Sequence, residues 1–372
     1  MQCAKAPDDI DTITEDLKVS FSSDKMQTVV GTVVKYTSTV SIAEENIVSW
    51  QWDFADGTPL SSNKNTSHMF ALAGSYLVKL KVISKSGKSA EFSQRILVKN
   101  LNLPDFGNLI SIKQKISQLY PKLMVVAHRC YTANYPENST NAITDAIKNN
   151  INIVEIDARL TSDNELVAMH DANTERTTNT NVNIAEKIWK ELQQVKLKHK
   201  GIVTDYTIPT IKECLQTAKG KVYVAIDASK LSSDFFYNKI YNTVASLNMV
   251  DMVVIYTPSP QAALFFMQMD KDLQILLGAG SPTDYNNATN INPQAALLHL
   301  ASGTLLPQYT NGPTNNGIKF WANAYVNSAD SPPLLGNDSV VENLITNQVS
   351  LIQTDYPIEI ISYLKNKNLW LK

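Results

Sequence analysis

The stretch VVAHRCYTANYPENSTNAITDA, residues 125–146, sets the architecture of the larger part of this chain. It begins as a run of apolar β-forming residues, ends that run on His128 and Arg129, and continues into a helical pattern that starts near Ser139. A buried strand has no structural use for a histidine and an arginine at its tip, because such side chains are rarely buried without partners. We therefore expect this strand to deliver both side chains to a site.

Strands and helices alternate from about Lys122 to the C-terminus. The candidate strands are LMVVAHR (123–129), NIVEIDA (152–158), ELVAMHD (165–171), VYVAIDA (222–228), DMVVIYT (251–257), LQILLGA (273–279), IKFWANAYV (318–326) and SLIQTDY (350–356). The candidate helices between them are NAITDAIKNN, IAEKIWKELQQVK, IKECLQTAK, FFYNKIYNTVASL, QAALFFMQM and SVVENLITNQ. Continuous apolar strands separated by helices are typical of a parallel sheet covered on both faces. A domain of about 250 residues with this pattern predicts an α/β TIM-type barrel.

Residues 17–99 have a different pattern, in which short segments alternate apolar and polar residues and turn residues separate them. This pattern predicts an all-β sandwich. The segments WQWDFADGTPLSS (50–62) and HMFALAGSYLVKLKV (68–82) resemble the PKD-type immunoglobulin-like domain, with Ala55 where a glycine is usual. We expect Trp52 and Phe54 to share one face, Asp56 and Gly57 to form a tight turn, and His68 to pack or hydrogen-bond.

The sequence therefore predicts a multidomain chain in which an N-terminal all-β immunoglobulin-like (PKD-type) sandwich precedes an α/β TIM-type barrel. The predicted divisions are a flexible segment 1–16, the sandwich 17–99, a linker or short helix 100–121, and the barrel 122–372. No side chain of the sandwich has a catalytic pattern. We interpret this domain as a spacer or as a module that contacts protein or glycan.

Composition restricts the partners and the location of the chain. A formal net charge of −2 over 372 residues does not indicate the excess of positive charge that is typical of nucleic-acid-binding proteins. No apolar run is long enough to cross a bilayer. The start, MQCAKAPDD, resembles a bacterial lipoprotein after removal of its signal peptide, which predicts a lipid anchor at Cys3 and a periplasmic or outer-surface location in the cell envelope. The alternative is an incidental cysteine in a terminal segment.

Two carboxylates lie on one face of the second candidate strand. Glu155 and Asp157 are two residues apart and therefore point the same way. Inside a barrel each carboxylate would lose roughly several kcal/mol of hydration, and the two would repel one another. A divalent cation removes both penalties, and Ca²⁺ or Mg²⁺ suits a site made of oxygen ligands. The alternative is a solvent-exposed strand end with an arginine partner such as Arg159.

Other polar residues end the neighbouring strands at the face where barrel enzymes build their sites. They are His128 and Arg129, His170 and Asp171, Asp227, and Thr354 and Asp355. Two histidines beside an acidic metal site suit phosphodiester cleavage, because one takes a proton from the nucleophile and the other protonates the leaving alkoxide. An arginine and a cation stabilise charge on the phosphoryl oxygens.

Four segments together resemble the glycerophosphodiester phosphodiesterase family: AHRCYTANYPENSTNAITDAI, IVEIDARLTSDNELVAMHDANTERTTN, IPTIKECL and LIQTDYP. The resemblance implies a TIM-barrel enzyme that splits glycerophosphodiesters, such as glycerophosphocholine, into glycerol 3-phosphate and an alcohol. It also implies a catalytic pair, His128 and His170, a phosphate-binding Arg129, and the metal ligands Glu155 and Asp157. Glu137 matches a family position near the site. Its alternative role is to brace the loop before a helix that Ser139 or Thr140 caps.

The chain departs from the family pattern at two places. Cys130 stands where glycine usually follows His-Arg, either as a small residue that fits or as a reactive thiol. The strand VYVAIDASK lacks the usual Glu-x-Lys. Either Asp227 replaces the glutamate, leaving Ser229 at the lysine position, or Ala225 replaces it, leaving Asp227 there. Both registers point Asp227 inward. We predict Asp227 as the third metal ligand and Lys230 as a substitute phosphate-binding base.

Three further aromatic or histidine residues complete the candidates. Trp321 occupies a position where the family places an aromatic residue by the substrate, and a core tryptophan is the alternative. His199 lies in a polar loop pattern and His299 in a helical pattern, and neither is assigned a function. Two other functions stay open: a barrel phosphodiesterase for another head group, such as a phosphoinositol or a glycan-linked glycerol phosphate, and a non-catalytic phosphodiester-binding protein.

Overall fold

The structure is a computed structural model. It describes residues 17–100, 109–301, 305, 307–310, 317–324 and 339–372. The predicted flexible segment 1–16, including Cys3, and residues 101–108 of the predicted linker lie outside the described residues. Backbone contacts divide the chain into two units, Met1–Leu101 and Asn102–Lys372. Among the described helices, none combines the length and apolar character that a membrane span needs.

The described part of the first unit is built of β-strands. They are β1 (Val19–Ser23), β2 (Gln27–Val29), β3 (Val33–Val40), β4 (Ile47–Asp53), β5 (Thr66–Met69), β6 (Gly74–Ser84) and β7 (Ser89–Lys99). One sheet has the order β1-β3-β5 and the other β2-β7-β6-β4. Alternate residues of both sheets enter one hydrophobic core, in which Trp52, Val78 and Leu80 are fully buried. The predicted all-β region is thus confirmed.

The segment after β4 behaves as its sequence predicts. Phe54 is buried, and the ring of His68 stacks on it with ring centroids 3.9 Å apart. His68 Nε2 lies 2.6 Å from Asp56 Oδ2. Ala55 has φ 58° and Gly57 has φ 82°, so Ala55 adopts a left-handed conformation that glycine adopts at lower cost. His68 therefore packs and hydrogen-bonds within this unit.

The second unit is a closed β/α barrel. Its strands are β8 (Met124–Ala127), β9 (Ile153–Leu160), β10 (Leu166–Ala168), β11 (Lys196–His199), β12 (Ile202–Thr207), β13 (Tyr223–Asp227), β14 (Val253–Thr257), β15 (Gln274–Ala279), β16 (Leu297–Leu300), β17 (Lys319–Asn323) and β18 (Val349–Thr354). The parallel strands follow the order β9-β13-β14-β15-β16-β17-β18-β8, and pairing of β8 with β9 closes the ring. The predicted TIM-type barrel is confirmed.

Helices alternate with the barrel strands, as the apolar periodicity predicts. They are α1 (Ile112–Ser117), α2 (Thr140–Lys148), α3 (Trp189–Leu192), α4 (Ile211–Ala218), α5 (Asp234–Ser246), α6 (Pro260–Met269), α7 (Pro282–Asn290), α8 (Pro307–Thr310), α9 (Ser339–Thr346) and α10 (Pro357–Asn366). Ser139 caps α2 by accepting a hydrogen bond from the backbone N–H of Ala142 at 3.1 Å. Part of the predicted linker forms α1, and the carbonyl of Ile110 just before it accepts a hydrogen bond from the Tyr223 hydroxyl at 2.7 Å.

Three sequence interpretations of this unit need correction. The candidate strand ELVAMHD is not a barrel strand, because β10 pairs antiparallel with β9. The sequence pattern did not predict the barrel strand β16. His299 lies on this strand and not on a helix. The predicted helix 184–196 is limited to a short 3₁₀ turn and α3, and β11 follows, so His199 lies on a strand of a two-stranded sheet rather than in a loop.

Candidate active site

Three carboxylates meet at the C-terminal end of β9 and β13. The parallel register places Asp227 beside Asp157 and Ala225 beside Glu155. Oxygen atoms of Glu155, Asp157 and Asp227 lie within 4.8 Å of one another. The side chains of Glu155 and Asp157 are buried, and that of Asp227 is 12% exposed. Closely spaced carboxylate oxygens are the ligands that hard divalent cations prefer, so these residues fit such an ion. Both sequence registers point Asp227 inward, and its carboxylate joins those of Glu155 and Asp157 in one group.

The ammonium of Lys230 contacts two members of this group. Its Nζ lies 2.8 Å from Asp227 Oδ2 and 3.1 Å from Asp157 Oδ1. Burial lowers the pKa of Lys230, but the charges of Asp157 and Asp227 outweigh burial and hold the pKa above its ordinary value. Burial, with the charges of the same two aspartates, raises the pKa of Glu155 well above its ordinary value. One ammonium therefore compensates only part of the negative charge.

His128 is held by a carboxylate from a neighbouring strand end. β8 pairs with β18, and the backbone N–H of His128 donates to the carbonyl of Thr354 at 3.0 Å. This register brings His128 Nδ1 within 2.8 Å of Asp355 Oδ1. Because a carboxylate accepts the Nδ1 proton, the lone pair of the neutral ring lies on Nε2. The pair is thus arranged for proton transfer at Nε2.

His170 reaches the same barrel end through the β9–β10 hairpin. The hairpin reverses the chain, and the backbone N–H of Met169 donates to the carbonyl of Asp157 at 3.0 Å. His170 Nδ1 lies 2.7 Å from Asp171 Oδ1. Arg159 donates from Nε, at 2.9 Å, to the carbonyl of His170. Arg159 therefore braces the histidine backbone by direct hydrogen bonds.

An arginine and carboxylate network connects the two histidine segments. Arg176 donates two hydrogen bonds to Glu137, at 2.7 and 2.8 Å, and one to Asp171 at 2.6 Å. Arg129 donates to Glu137 Oε1 at 3.2 Å. Burial raises the pKa of Glu137, but the hydrogen bonds and charge of Arg176, with the charge of Arg129, hold it below its ordinary value. The network therefore links Asp171, the hydrogen-bond partner of His170, to the guanidinium of Arg129.

The turn after His128 has an unusual backbone. Arg129 has φ 49° and Cys130 has φ 68°, a conformation that glycine adopts at lower cost. Glu155 holds this turn, because its Oε2 accepts the Arg129 N–H at 2.8 Å and its carbonyl accepts the Cys130 N–H at 2.8 Å. Cys130 is buried, and burial raises the pKa of its thiol, which disfavours the reactive-thiol interpretation.

One cavity of about 990 Å³ is lined by both histidines, by Arg129 and by the three clustered carboxylates. Its lining includes all the predicted site residues except Lys230, together with Lys198, His199, Lys200, His299 and Tyr356. Trp321 is fully buried and donates from Nε1 to Gln353 Oε1 at 3.0 Å, so it combines a core position with a place in the cavity wall. His299 Nε2 lies 3.0 Å from Asn323 Oδ1, and burial lowers the pKa of His299.

Sequence reasoning missed several partners of the candidate residues. Asn138 Nδ2 donates to Asp157 Oδ2 at 2.9 Å, and its Oδ1 accepts the Asp157 N–H at 3.0 Å. Arg176 had no assigned role, and Asp355 was placed at the strand end on the site face without a partner. Asn138, Arg176 and Asp355 lie in the segments PEN, ANTERTTN and LIQTDYP. No spacing rule joins residues so distant in the chain.

Two family profiles match this chain, one in each unit. The profile of the Glycerophosphoryl diester phosphodiesterase family matches residues 128–370, and that of the PKD domain matches residues 18–99. A glycerophosphodiester phosphodiesterase of Caldanaerobacter subterraneus is 24% identical over 251 residues, 66% of this chain and 98% of that protein. Glycerophosphodiester phosphodiesterase 1 of Bos taurus is 30% identical over 137 residues, 32% of this chain and 41% of that protein.

Solved structures show the same barrel. A glycerophosphoryl diester phosphodiesterase from Parabacteroides distasonis has a TM-score of 0.61 at 20% identity, covering 70% of this chain and 93% of that one. An Oleispira antarctica phosphodiesterase in complex with the product sn-glycerol-3-phosphate has a TM-score of 0.55 at 20% identity, covering 65% and 96%.

The barrel, its polar rim and the family profile define the class of this protein as a TIM-barrel phosphodiesterase. The chain belongs to the glycerophosphoryl diester phosphodiesterase family, and a PKD domain precedes its barrel. The family and the enzyme class predicted from the sequence are both confirmed.

Proposed function

We propose that this chain is a metal-dependent phosphodiesterase that hydrolyses glycerophosphodiesters to glycerol 3-phosphate and an alcohol, with His128 and His170 as its acid–base pair. One observation carries the proposal: two histidines, each held through Nδ1 by an aspartate, share a cavity with three clustered carboxylates. Neither a core nor a simple binding surface needs paired, oriented imidazoles beside a concentrated negative charge.

Arg129 is the proposed phosphate ligand. Its Nε is buried and has no hydrogen-bond partner among the described residues, while its Nη1 donates a hydrogen bond to Glu137. A buried N–H without a partner is costly, and a phosphoryl oxygen would satisfy it by a charge-assisted hydrogen bond. Glu137 and Arg176 fix the guanidinium plane in advance.

Glu155, Asp157 and Asp227 are the proposed metal ligands. A bound Ca²⁺ or Mg²⁺ would supply positive charge against the phosphoryl oxygens. Asn138 orients Asp157 through two hydrogen bonds, and the backbone N–H of Ser229 donates to Asp227 Oδ1 at 2.7 Å. These contacts hold the carboxylates in place without using all their oxygen atoms.

The two histidines move the protons. One ring accepts a proton at Nε2 from the attacking water while the new P–O bond forms. The other ring donates a proton from Nε2 to the leaving alkoxide as the old P–O bond breaks, so that the diester and water give glycerol 3-phosphate and the alcohol. Asp355 and Asp171 keep each Nδ1 protonated, so each ring presents Nε2 for transfer.

The alcohol of the substrate is open, and two lysines at the cavity favour an anionic head group as the second candidate. Lys198 and Lys200 donate to the backbone carbonyls of Glu175 and Ala133, and neither pairs with a carboxylate among the described residues. Two such ammonium groups attract an added negative charge. The lipid anchor at Cys3, the envelope location and the partners of the PKD domain stay predictions of the sequence.

A substrate panel tests the proposal. The full chain, with Ca²⁺ or Mg²⁺, is assayed on glycerophosphocholine, glycerophosphoglycerol, glycerophosphoinositol and an aryl phosphodiester. The readout is release of glycerol 3-phosphate for the three glycerophosphodiesters and release of the phenol for the aryl diester. We expect turnover of at least one glycerophosphodiester and its loss in chelator. Binding of these compounds without turnover of any of them would favour the phosphodiester-binding alternative.

A further inference from the structure

We propose that Lys230 is an internal cation that occupies the carboxylate group until a divalent ion displaces it, so that Lys230 sets the metal affinity of the site. The inference rests on the proposed metal site, but it concerns binding and stability, which are measured independently of catalysis.

The position of Lys230 follows from the end of β13. The chain turns after Asp227, and the Ser229 N–H donates to Asp227 Oδ1. This turn returns the Lys230 ammonium over the carboxylates, where it lies 2.8 Å from Asp227 Oδ2 and 3.1 Å from Asp157 Oδ1. The Lys230 side chain is only 14% exposed, so water screens its attraction to the two carboxylates only weakly.

The aspartate oxygens most open to a divalent ion are the ones that Lys230 contacts. Asp157 Oδ2 already accepts the Asn138 amide, and Asp227 Oδ1 accepts the Ser229 N–H. The remaining oxygen of each aspartate is the one that Lys230 contacts. An ammonium and a divalent ion therefore compete for the same two atoms, and repulsion between the cations opposes joint occupancy.

The charge count indicates which cation prevails. Three ionised carboxylates and the Lys230 ammonium leave two negative charges in this cluster, and the Arg129 guanidinium, whose Nε lies 4.0 Å from Asp157 Oδ2, offsets part of them. A divalent ion compensates them, whereas Lys230 alone does not. Without metal, Lys230 limits the repulsion and stabilises the fold. With metal, it must leave Asp157 and Asp227, and this displacement weakens metal binding.

Calorimetric titration with Mg²⁺ and with Ca²⁺ tests the proposal on the full chain. Lys230→Met should bind the ion about tenfold more tightly than the natural chain, since displacing the ammonium breaks charge-assisted hydrogen bonds. Lys230→Arg, which keeps the charge and fits two carboxylates, should bind more weakly than the natural chain. Lys221→Met removes a lysine charge near the opposite end of β13 and should leave the affinity unchanged.

Thermal unfolding gives the second readout. In chelator, Lys230→Met should melt below the natural chain, and saturating Mg²⁺ should shrink or reverse the difference. Equal or weaker Mg²⁺ binding by Lys230→Met than by the natural chain would overturn the proposal, as would the absence of metal binding in both. A chain that binds metal as described but hydrolyses no phosphodiester would refute the proposed function and leave this inference standing.

Discussion

Asp355 Oδ1 lies 2.8 Å from His128 Nδ1, although the two residues are 227 positions apart in the chain. The contact arises because β18 and β8 are neighbours in the closed barrel and end at the same rim. The carboxylate selects the ring tautomer by accepting the Nδ1 proton. Asp355 is therefore a positioning residue for the proposed acid–base chemistry.

Replacement of this carboxylate should separate positioning from folding. In Asp355→Asn we expect kcat to fall by about two orders of magnitude with little change in KM, because the tautomer of His128 is no longer fixed. Asp355→Glu should recover part of the loss. Steady-state kinetics on a soluble glycerophosphodiester measure both. Normal kcat in Asp355→Asn would show that the contact has no part in proton transfer.

The Arg176 network predicts a pH dependence of stability. Burial raises the pKa of Glu137 and of Asp171, but Arg176 outweighs it and holds both below their ordinary values of 4.5 and 3.8. Carboxyl groups with a lowered folded-state pKa stabilise the fold above these values and lose that contribution as pH falls through the lowered pKa. Arg176→Met should thus be less stable at neutral pH, and the difference should shrink below about pH 4.5.

Melting temperatures across an acid series measure this difference. Lys187→Met, which removes an exposed ion pair to Glu191, serves as the control and should follow the natural chain closely. A deficit of Arg176→Met that stayed constant down to the lowest pH would contradict the electrostatic account.

Removal of metal should lower stability. A ligand that binds only the folded state adds about 2.7 kcal/mol at a hundredfold excess over Kd. Ca²⁺ or Mg²⁺ should therefore raise the melting temperature, and chelator should cancel the rise. Asp157→Asn should lose most of the effect, whereas Asp205→Asn, at an exposed position, should keep it. A melting temperature that changes neither with chelator nor with added metal would rule out the proposed metal site.

The PKD domain should be dispensable for the chemistry, since every candidate site residue lies in the second unit. The sequence predicts that a chain starting near Ser111 is active. The structure refines the starting point to Leu109, because the Ile110 carbonyl accepts the Tyr223 hydroxyl. This shortened chain should fold and keep full turnover on a soluble substrate. A folded but inactive product would mean that the first unit contributes to the site.

Apolar patterning predicted most of the barrel, and its failures have physical causes. β16 follows residues such as Gln294 and Ala295 that suit a helix as well as a strand, and a four-residue run has no distinguishing period. β10 has the same apolar composition as the barrel strands, but the sequence does not encode whether a neighbour runs parallel or antiparallel.

The site was predictable where one strand carries the signal. The two-residue spacing alone places Glu155 and Asp157 on one face, and the end of a barrel strand identifies His128. His170 was assigned to the site as the end of a barrel strand, whereas an antiparallel hairpin delivers it. Contacts between distant segments, such as Arg176 with Glu137 and Lys230 with Asp157, depend on loop paths and strand register. Residue spacing along the chain specifies neither the loop paths nor the strand register. These contacts therefore became apparent from the folded structure.

Turnover by single-histidine variants tests the central claim most directly. His68→Ala is the matched control, because His68 also pairs with an aspartate but lies in the first unit, and it should retain normal kcat. His128→Ala and His170→Ala should each lose at least about two orders of magnitude in kcat while metal still raises their melting temperatures. Near-normal kcat in both variants would contradict the two-histidine mechanism and favour a phosphodiester-binding protein.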